Sequence, residues 1–140
     1  MGSDAPLVVV DASVAVKWLV SADESGVEAA GALLRAHARG TVRLVGPALI
    51  AYEVFAVLGR DRRHAGGLAE GVDAFFDADV AMVTPDRELM LRAAEHVRLH
   101  GVSVFDSAYS ALAESLGCDL ATADRKLARR LEGFVPTRVV

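Results

Sequence analysis

Short, wholly apolar runs alternate along this chain with longer stretches of helical period, and this alternation constrains its fold more than any other feature. The first run, Leu7 to Val10, is apolar on both of its faces, so a strand formed there is buried on both sides. Such strands are typical of parallel sheets that are covered by helices. The sequence therefore predicts an α/β fold.

The remaining elements are predicted from the same two periods. Further strands are expected at 43–45, 80–84, 119–122 and 137–140, and helices near 13–20, 25–38, 48–60, 67–78, 86–99, 104–116 and 125–131. Pro47 marks the start of one helix, and Gly101 and Gly117 mark the ends of two others. The expected architecture is a central parallel sheet of about five strands with helices on both faces.

Composition favours one soluble domain over residues 1–140, of which the first four are expected to be flexible or an addition to the natural sequence. With 53% hydrophobic and 24% charged residues, the chain is too apolar for a disordered segment. The single Cys118 permits neither an intramolecular disulfide nor a cysteine zinc cluster. The first apolar run ends at Asp11 and follows no basic segment, so we expect no secretory signal, no membrane span and a cytoplasmic location.

Two aspartates follow predicted strands. Asp11 comes directly after Val10, and Asp124 lies two residues beyond Thr122. The carboxyl ends of parallel strands are where open sheets bind ligands. Each aspartate is equally at home as the N-cap of the helix that follows it, so both interpretations stay open for each residue alone.

Glu53 is harder to explain as a structural residue. On a helical wheel it lies between Leu49 and Val57, near the middle of the predicted apolar face. A buried carboxylate takes up a proton or needs a cation, so a metal or an arginine partner is expected. A structural ion pair with arginine is the alternative.

Asp106 is the fourth carboxylate of interest, at the start of the predicted helix 104–116. It borders the apolar face of that helix. Ser103, three residues earlier, makes a capping box the alternative explanation.

Together the four carboxylates predict a metal site at one edge of the sheet. Like charges repel unless a cation neutralises them. Oxygen ligands without a His or Cys cluster select Mg²⁺ or Mn²⁺ over zinc or copper. Because such ions also bind substrate phosphate, the set indicates metal-dependent hydrolysis of a phosphodiester.

Other catalytic motifs are missing from the sequence. There is no Walker loop and no G-x-G-x-x-G after a strand, Ser103 lies in no G-x-S-x-G elbow, and Cys118 has no neighbouring histidine. His96 and His100 share a helix face but lack the glutamate of a zinc protease, so we expect a solvated pair.

The ordered motifs resemble the PIN-domain family, and within it the VapC-type ribonuclease toxins, from Val8 to Leu131. They are Val9-Val10-Asp11-Ala12-Ser13, Tyr52-Glu53-Val54, Phe105-Asp106-Ser107-Ala108-Tyr109 and Leu120-Ala121-Thr122-Ala123-Asp124. The resemblance implies that Asp11, Glu53, Asp106 and Asp124 are the catalytic, metal-binding residues for Mg²⁺ or Mn²⁺, with Ser13 and Thr122 as supporting hydroxyls. One departure is Ala56, where many relatives carry Asn.

The same resemblance implies endonucleolytic cleavage of RNA, a homodimer, and a small cognate antitoxin that forms a higher assembly with the toxin. Aromatic residues are candidates for the antitoxin groove, or else for the core or a dimer interface: Trp18, Phe55, Phe75 and Phe76. Basic residues are candidates for RNA contacts, or else for a solvated face: Arg60, Arg62, Arg63, Arg125 and Lys126.

Two other functions stay open. A phosphoaspartate phosphatase or receiver would also use Asp11, although Ser13 replaces the second aspartate of the phosphatase motif, and Thr84-Pro85 stands where a receiver has its acceptor. A catalytically silent PIN-like binding module is the third possibility.

Net charge is compatible with RNA binding. The formal charge of -4 comes from 19 acidic and 15 basic residues, so without the four proposed ligands 15 acidic residues balance 15 basic ones. Because the four carboxylates would repel phosphate when no cation is bound, RNA affinity is expected to depend on the divalent ion.

Overall fold

A single parallel sheet organises the computed structural model, which describes residues 4–20, 25–61 and 67–140. Its strands are β1 (Leu7–Val10), β2 (Arg43–Pro47), β3 (Ala81–Val83), β4 (Asp119–Thr122) and β5 (Thr137–Val139). Their order is β3-β2-β1-β4-β5, with every neighbouring pair parallel. The apolar β1 lies at the centre, and its last three residues are fully buried.

Seven helices are found in the described residues. They are α1 (Ala12–Ala15), α2 (Val27–Arg39), α3 (Leu49–Arg60), α4 (Leu68–Asp77), α5 (Arg87–His100), α6 (Val104–Leu116) and α7 (Arg125–Leu131), with a 3-10 turn at Val16–Trp18 after α1. Within the three described ranges, none of these helices combines the length and apolarity that crossing a membrane requires.

The strand order determines where a ligand can bind. The chain moves from β1 through β2 to β3 on one side, then returns to β4 and β5 on the other. Because parallel crossovers are right-handed, α1 to α4 cover one face of the sheet and α5 to α7 cover the other. The direction reverses between β1 and β4, and the carboxyl ends of two such strands form the usual binding crevice of an open α/β sheet.

The predicted α/β architecture is confirmed, with two local differences. β2 continues through Gly46 and Pro47, which pair with β3 beyond the last β2 residue in register with β1. A proline is tolerated there because only one side of the strand is paired. The first predicted helix, 13–20, is instead the four-residue α1 followed by the 3-10 turn.

The prediction of a solvated histidine pair was wrong for His96. Its side chain is buried between α5 and α6, with Nδ1 2.7 Å from Ser110 Oγ and Nε2 3.0 Å from Glu114 Oε1. The ring of His100 meets it edge-on, with 5.4 Å between the centroids. Both oxygen partners lie on the next helix, so spacing within α5 could not reveal them.

Candidate active site

Asp11 joins the central strand to the first helix. Its backbone N–H donates to Ala121 O at 2.9 Å, and its carbonyl accepts from Val14 N at 2.9 Å. The side chain makes no capping hydrogen bond to the helix. Instead Oδ2 accepts from Ser13 Oγ at 2.8 Å and from Thr122 Oγ1 at 2.7 Å. The N-cap alternative therefore does not explain this nearly buried carboxylate.

The two hydroxyls that bond Asp11 are themselves held by the backbone after β4. Ser13 Oγ accepts from Ala123 N, and Thr122 Oγ1 accepts from Asp124 N, each at 3.0 Å. Each hydroxyl proton is then free to be donated to Asp11, whose Oδ2 must be an acceptor. The network fixes the position of Asp11 relative to the β4–α7 turn.

Glu53 lies beside the buried face of α3, not at its middle. That face is formed by Ile50, Val54 and Leu58, whereas Glu53 is half-buried. The prediction that Glu53 lies in the middle of the apolar face was wrong, because Ala56, on the same side of the helical wheel, faces solvent. Among the described residues Glu53 has no ion-pair partner, so the structural arginine pair is not seen.

A buried tyrosine holds Glu53 in place. The hydroxyl of Tyr109 in α6 donates to Glu53 Oε1 at 2.5 Å. Burial, followed by the hydrogen bond to Glu53, raises the pKa of the Tyr109 phenol far above its ordinary value, so the phenol stays protonated as a donor. Tyr109 thereby ties α3 to α6 across the site.

Asp106 and Asp124 both begin helices. The N–H of Asp106 donates to Ser103 Oγ at 3.0 Å, so Ser103 caps α6 and Asp106 lies half-buried in its first turn. Asp124 Oδ1 accepts from Lys126 N at 2.9 Å and from Leu127 N at 3.1 Å. Asp124 is thus a true N-cap, and its Oδ2 makes neither of these capping bonds.

One pocket of about 570 Å³ gathers all four carboxylates. It opens at the carboxyl ends of β1 and β4, where the chain reverses its direction across the sheet. Its other lining residues are Ala12, Ser13, Val16, Leu49, Tyr52, Ala56, Val57, Arg60 and Phe105. We call this space the acidic pocket.

Burial and mutual repulsion both act on these carboxyls. Burial is the main cause that raises the pKa of Asp11, Glu53 and Asp106 above the ordinary value. Repulsion adds to it: the charge of Asp106 raises the pKa of Asp11, both of those aspartates raise the pKa of Glu53, and Asp124 raises the pKa of Asp106. The hydroxyls of Ser13, Thr122 and Tyr109 work in the opposite direction by donating to the charged forms, and the charge of Arg130 lowers the pKa of Asp106.

The donor set fits a divalent cation. Across the described ranges no three His, Cys, Asp or Glu side chains already form a metal-binding cluster. The four pocket carboxylates nevertheless offer only hard oxygen ligands, and none forms an ion pair with a described residue. A cation would relieve their repulsion.

Three of the four candidate groove aromatics lie together. Phe55, Phe75 and Phe76 line a second pocket, between α3 and α4, of about 310 Å³. Phe75 is buried and Phe76 exposed, as expected for neighbours on one helix. Trp18 lies elsewhere, with its Nε1 donating to Ala30 O of α2 at 2.8 Å.

The candidate RNA-binding residues are divided. Arg60 lines the acidic pocket, whereas Arg125 and Lys126 are exposed in the first turn of α7, directly after Asp124. Arg62 and Arg63 lie outside the described residues.

Comparison with known proteins agrees with this geometry. Residues 8–132 match the model of the PIN domain. The chain belongs to the PIN-domain family. Ribonuclease VapC3 of Pyrobaculum aerophilum is 34% identical over 134 residues, with 91% of this chain and 96% of the relative covered.

Solved structures share the PIN fold at lower identity. VapBC2 of Rickettsia felis, bound to a DNA fragment from its promoter, matches with a TM-score of 0.71 and 10% identity, covering 96% of this chain and 98% of that one. VapC20 of Mycobacterium tuberculosis, described as a toxin that cleaves the sarcin-ricin loop, matches with a TM-score of 0.68 and 19% identity over 94% of this chain and 98% of its own. At these identities the likeness concerns the fold.

Sequence reasoning missed three residues of the candidate active site. Tyr109 stands in a motif but pairs with a residue 56 positions away, so no local pattern reveals its partner. Tyr52 and Phe105 each directly precede a carboxylate of the acidic pocket and line it themselves. The spacing of four between Tyr52, Ala56 and Arg60 on α3 was the available signal for one shared face.

Proposed function

We propose that this PIN-domain protein is the toxin of a toxin–antitoxin pair, an endoribonuclease that hydrolyses RNA with the help of Mg²⁺ or Mn²⁺. One observation carries the proposal: four carboxylates from four separate elements line one pocket at the reversal point of the sheet, without a cationic side chain paired to any of them in the described residues. The names of the relatives, a ribonuclease and toxins, support it.

The residues of the chain divide the work between them. Asp11, Glu53, Asp106 and Asp124 would hold the ion, which supplies positive charge to the phosphate and to its leaving oxygen. Ser13 and Thr122 orient Asp11 through their hydroxyls. Tyr109 donates to Glu53 Oε1, so Oε2 is the atom available either to bind the ion or to accept a proton from the attacking water.

Partners follow from the same proposal. Toxin–antitoxin complexes such as VapBC-1 of Haemophilus influenzae are among the similar structures, which supports a small antitoxin as partner. We propose that the antitoxin binds in the pocket of Phe55, Phe75 and Phe76, because the rings of Phe55 and Phe76 are exposed on the surface formed by α3 and α4. A homodimer, an RNA substrate, a cytoplasmic location and a single domain over residues 1–140 complete the proposal.

The decisive test is Asp11→Asn in protein freed of its antitoxin. Asn keeps an oxygen that accepts from Ser13 and Thr122 but removes the charge, so RNA cleavage in Mg²⁺ or Mn²⁺ is expected to fall by more than about 100-fold. Asp119→Asn is the matched control, because Asp119 is paired with Arg138 at 2.8 Å and lies outside the acidic pocket. An unchanged cleavage rate in Asp11→Asn would reject the proposal.

The alternatives have outcomes of their own in the same preparation. Acid-labile phosphate trapped on Asp11 would support a phosphoaspartate enzyme. Antitoxin-free wild-type protein that cuts no RNA with either ion would support a silent binding module.

A further inference from the structure

Two exposed aromatic rings border the acidic pocket from different helices. Tyr52 of α3 is 77% exposed and directly precedes Glu53, and Phe105 of α6 is 60% exposed and directly precedes Asp106. Both rings line the pocket that holds the carboxylates. Rings of this size are usually buried, so their exposure beside a candidate active site indicates a binding surface.

Each ring also stands between the acidic pocket and a separate apolar groove. Tyr52 borders the pocket between α3 and α4. Phe105 borders a groove of about 450 Å³ formed by the ends of β2 and β3 with α5 and α6. An extended ligand that lies across the carboxylates would therefore contact Tyr52 on one side of them and Phe105 on the other.

A cation lies on the same face of α3 as Tyr52. Tyr52, Ala56 and Arg60 follow one another at intervals of four residues, all three are exposed, and all three line the acidic pocket. The small Ala56 leaves the space between the ring and the guanidinium open. Single-stranded nucleic acid binds through bases that stack on aromatic rings and phosphates that contact cationic groups, and Tyr52 and Arg60 offer one of each.

We propose that Tyr52 and Phe105 are stacking platforms for unpaired bases of RNA on either side of the cleaved phosphate, with Arg60 contacting the backbone. This rests on the proposed ribonuclease function and adds the residues of this chain that would hold unpaired bases of the substrate beside the carboxylates. Bases in a duplex are stacked on each other and offer no free face, whereas splayed bases stack on aromatic side chains. A protein segment is the less favoured occupant of the acidic pocket, because both rings adjoin carboxylates that would meet the reacting phosphate; the pocket proposed above for the antitoxin shares only Tyr52 with the acidic pocket.

The test uses the full chain, freed of antitoxin, and a labelled single-stranded oligoribonucleotide of mixed sequence. Tyr52→Leu and Phe105→Leu keep apolar bulk but remove the aromatic face, and Tyr52→Phe keeps it. Phe134→Leu is the control, since Phe134 is 61% exposed and lies outside the acidic pocket. Binding is measured by fluorescence anisotropy in an Asp11→Asn background with Mg²⁺ present, and KM and kcat are measured with Asp11 intact.

Each leucine variant is expected to weaken binding by about 5-fold to 100-fold. KM should rise by a similar factor while kcat changes little, because the reacting carboxylates are untouched. Tyr52→Phe and Phe134→Leu should bind like the parent. A strand with abasic riboses loses both stacked bases, so it should bind the parent at least as weakly as the intact strand binds either leucine variant, and a duplex of the same sequence should bind no better than the abasic strand.

Three results would overturn the inference, and they separate it from the proposed function. If the wild type cleaves RNA, Asp11→Asn does not, and the leucine variants match Phe134→Leu, the stacking site is wrong and the nuclease stands. If the parent binds the abasic strand as tightly as the intact strand, no base stacks on the rings and the inference is wrong. If the wild type neither binds nor cleaves the strand, both proposals fail.

Discussion

Replacing Thr122 by Val removes one hydroxyl from the centre of the site and keeps the β-branched shape that suits a strand. That hydroxyl donates to Asp11 Oδ2 at 2.7 Å and accepts from Asp124 N at 3.0 Å, and Thr122 is fully buried. A hydrogen bond to a charged group contributes about 1.5–3 kcal/mol and a neutral one about 0.5–1.5 kcal/mol. Because Asp11 keeps its bond from Ser13, we expect a loss near the lower end of the sum, about 2–3 kcal/mol of unfolding free energy.

Urea denaturation of the metal-free protein measures this loss, and the denaturation midpoint should fall at an unchanged m-value. Thr137→Val is the matched control, because the Thr137 hydroxyl makes one bond, to Val135 O at 2.8 Å, and lies outside the acidic pocket. Its expected loss is at most about 1.5 kcal/mol. If Thr122→Val costs no more than Thr137→Val, the hydroxyl network does not hold the site together and the reasoning is refuted.

Three further predictions concern the charges of the site. Asp11, Glu53 and Asp106 have raised pKa values in the folded protein, so the stability they contribute is present below the ordinary carboxyl pKa and is lost as the pH rises through the raised values. The gain in melting temperature on adding Mg²⁺ or Mn²⁺ to metal-free protein should therefore grow across that interval; a melting temperature that is indifferent to the ion contradicts this. Tyr109→Phe removes the hydrogen bond that lowers the pKa of Glu53, so the acid limb of the pH–rate profile should move to higher pH, and an unmoved limb would count against the positioning role. Asp124→Ala should cost about 0.5–2 kcal/mol in urea denaturation through loss of the cap, whereas Asp124→Asn should keep the cap; both should lose cleavage, and an active Asn variant would show that Asp124 is only a cap.

Local chemistry explains why so much of the fold could be predicted. β1 has no polar residue that could face solvent, and Asp11 ends it. Ser103 caps α6 as the capping-box pattern suggested, and Gly101 takes the left-handed conformation, with φ of 66°, that ends α5. These signals lie within a few residues of the feature they specify.

The features that could not be predicted depend on partners distant in sequence. Pro47 stays in β2 because β3 alone pairs with it, which only the strand order reveals. His96 is buried by contacts with α6, and Glu53 owes its orientation to Tyr109. The four carboxylates could be named from their motifs, whereas the hydroxyls and rings around them needed the assembled chain.

The bond between Thr122 and Asp11 spans 111 positions of the chain. A ribosome releases the amino-terminal part first, so Asp11 and Glu53 emerge long before β4 can pair with β1 and bring Asp124 to them. While it is still on the ribosome, the growing polypeptide therefore lacks Asp124, the last of the four carboxylates of the acidic pocket. Under the proposed function, the metal site is complete only after β4 and Asp124 have been synthesised, so a product that stops before β4 lacks part of the nuclease site.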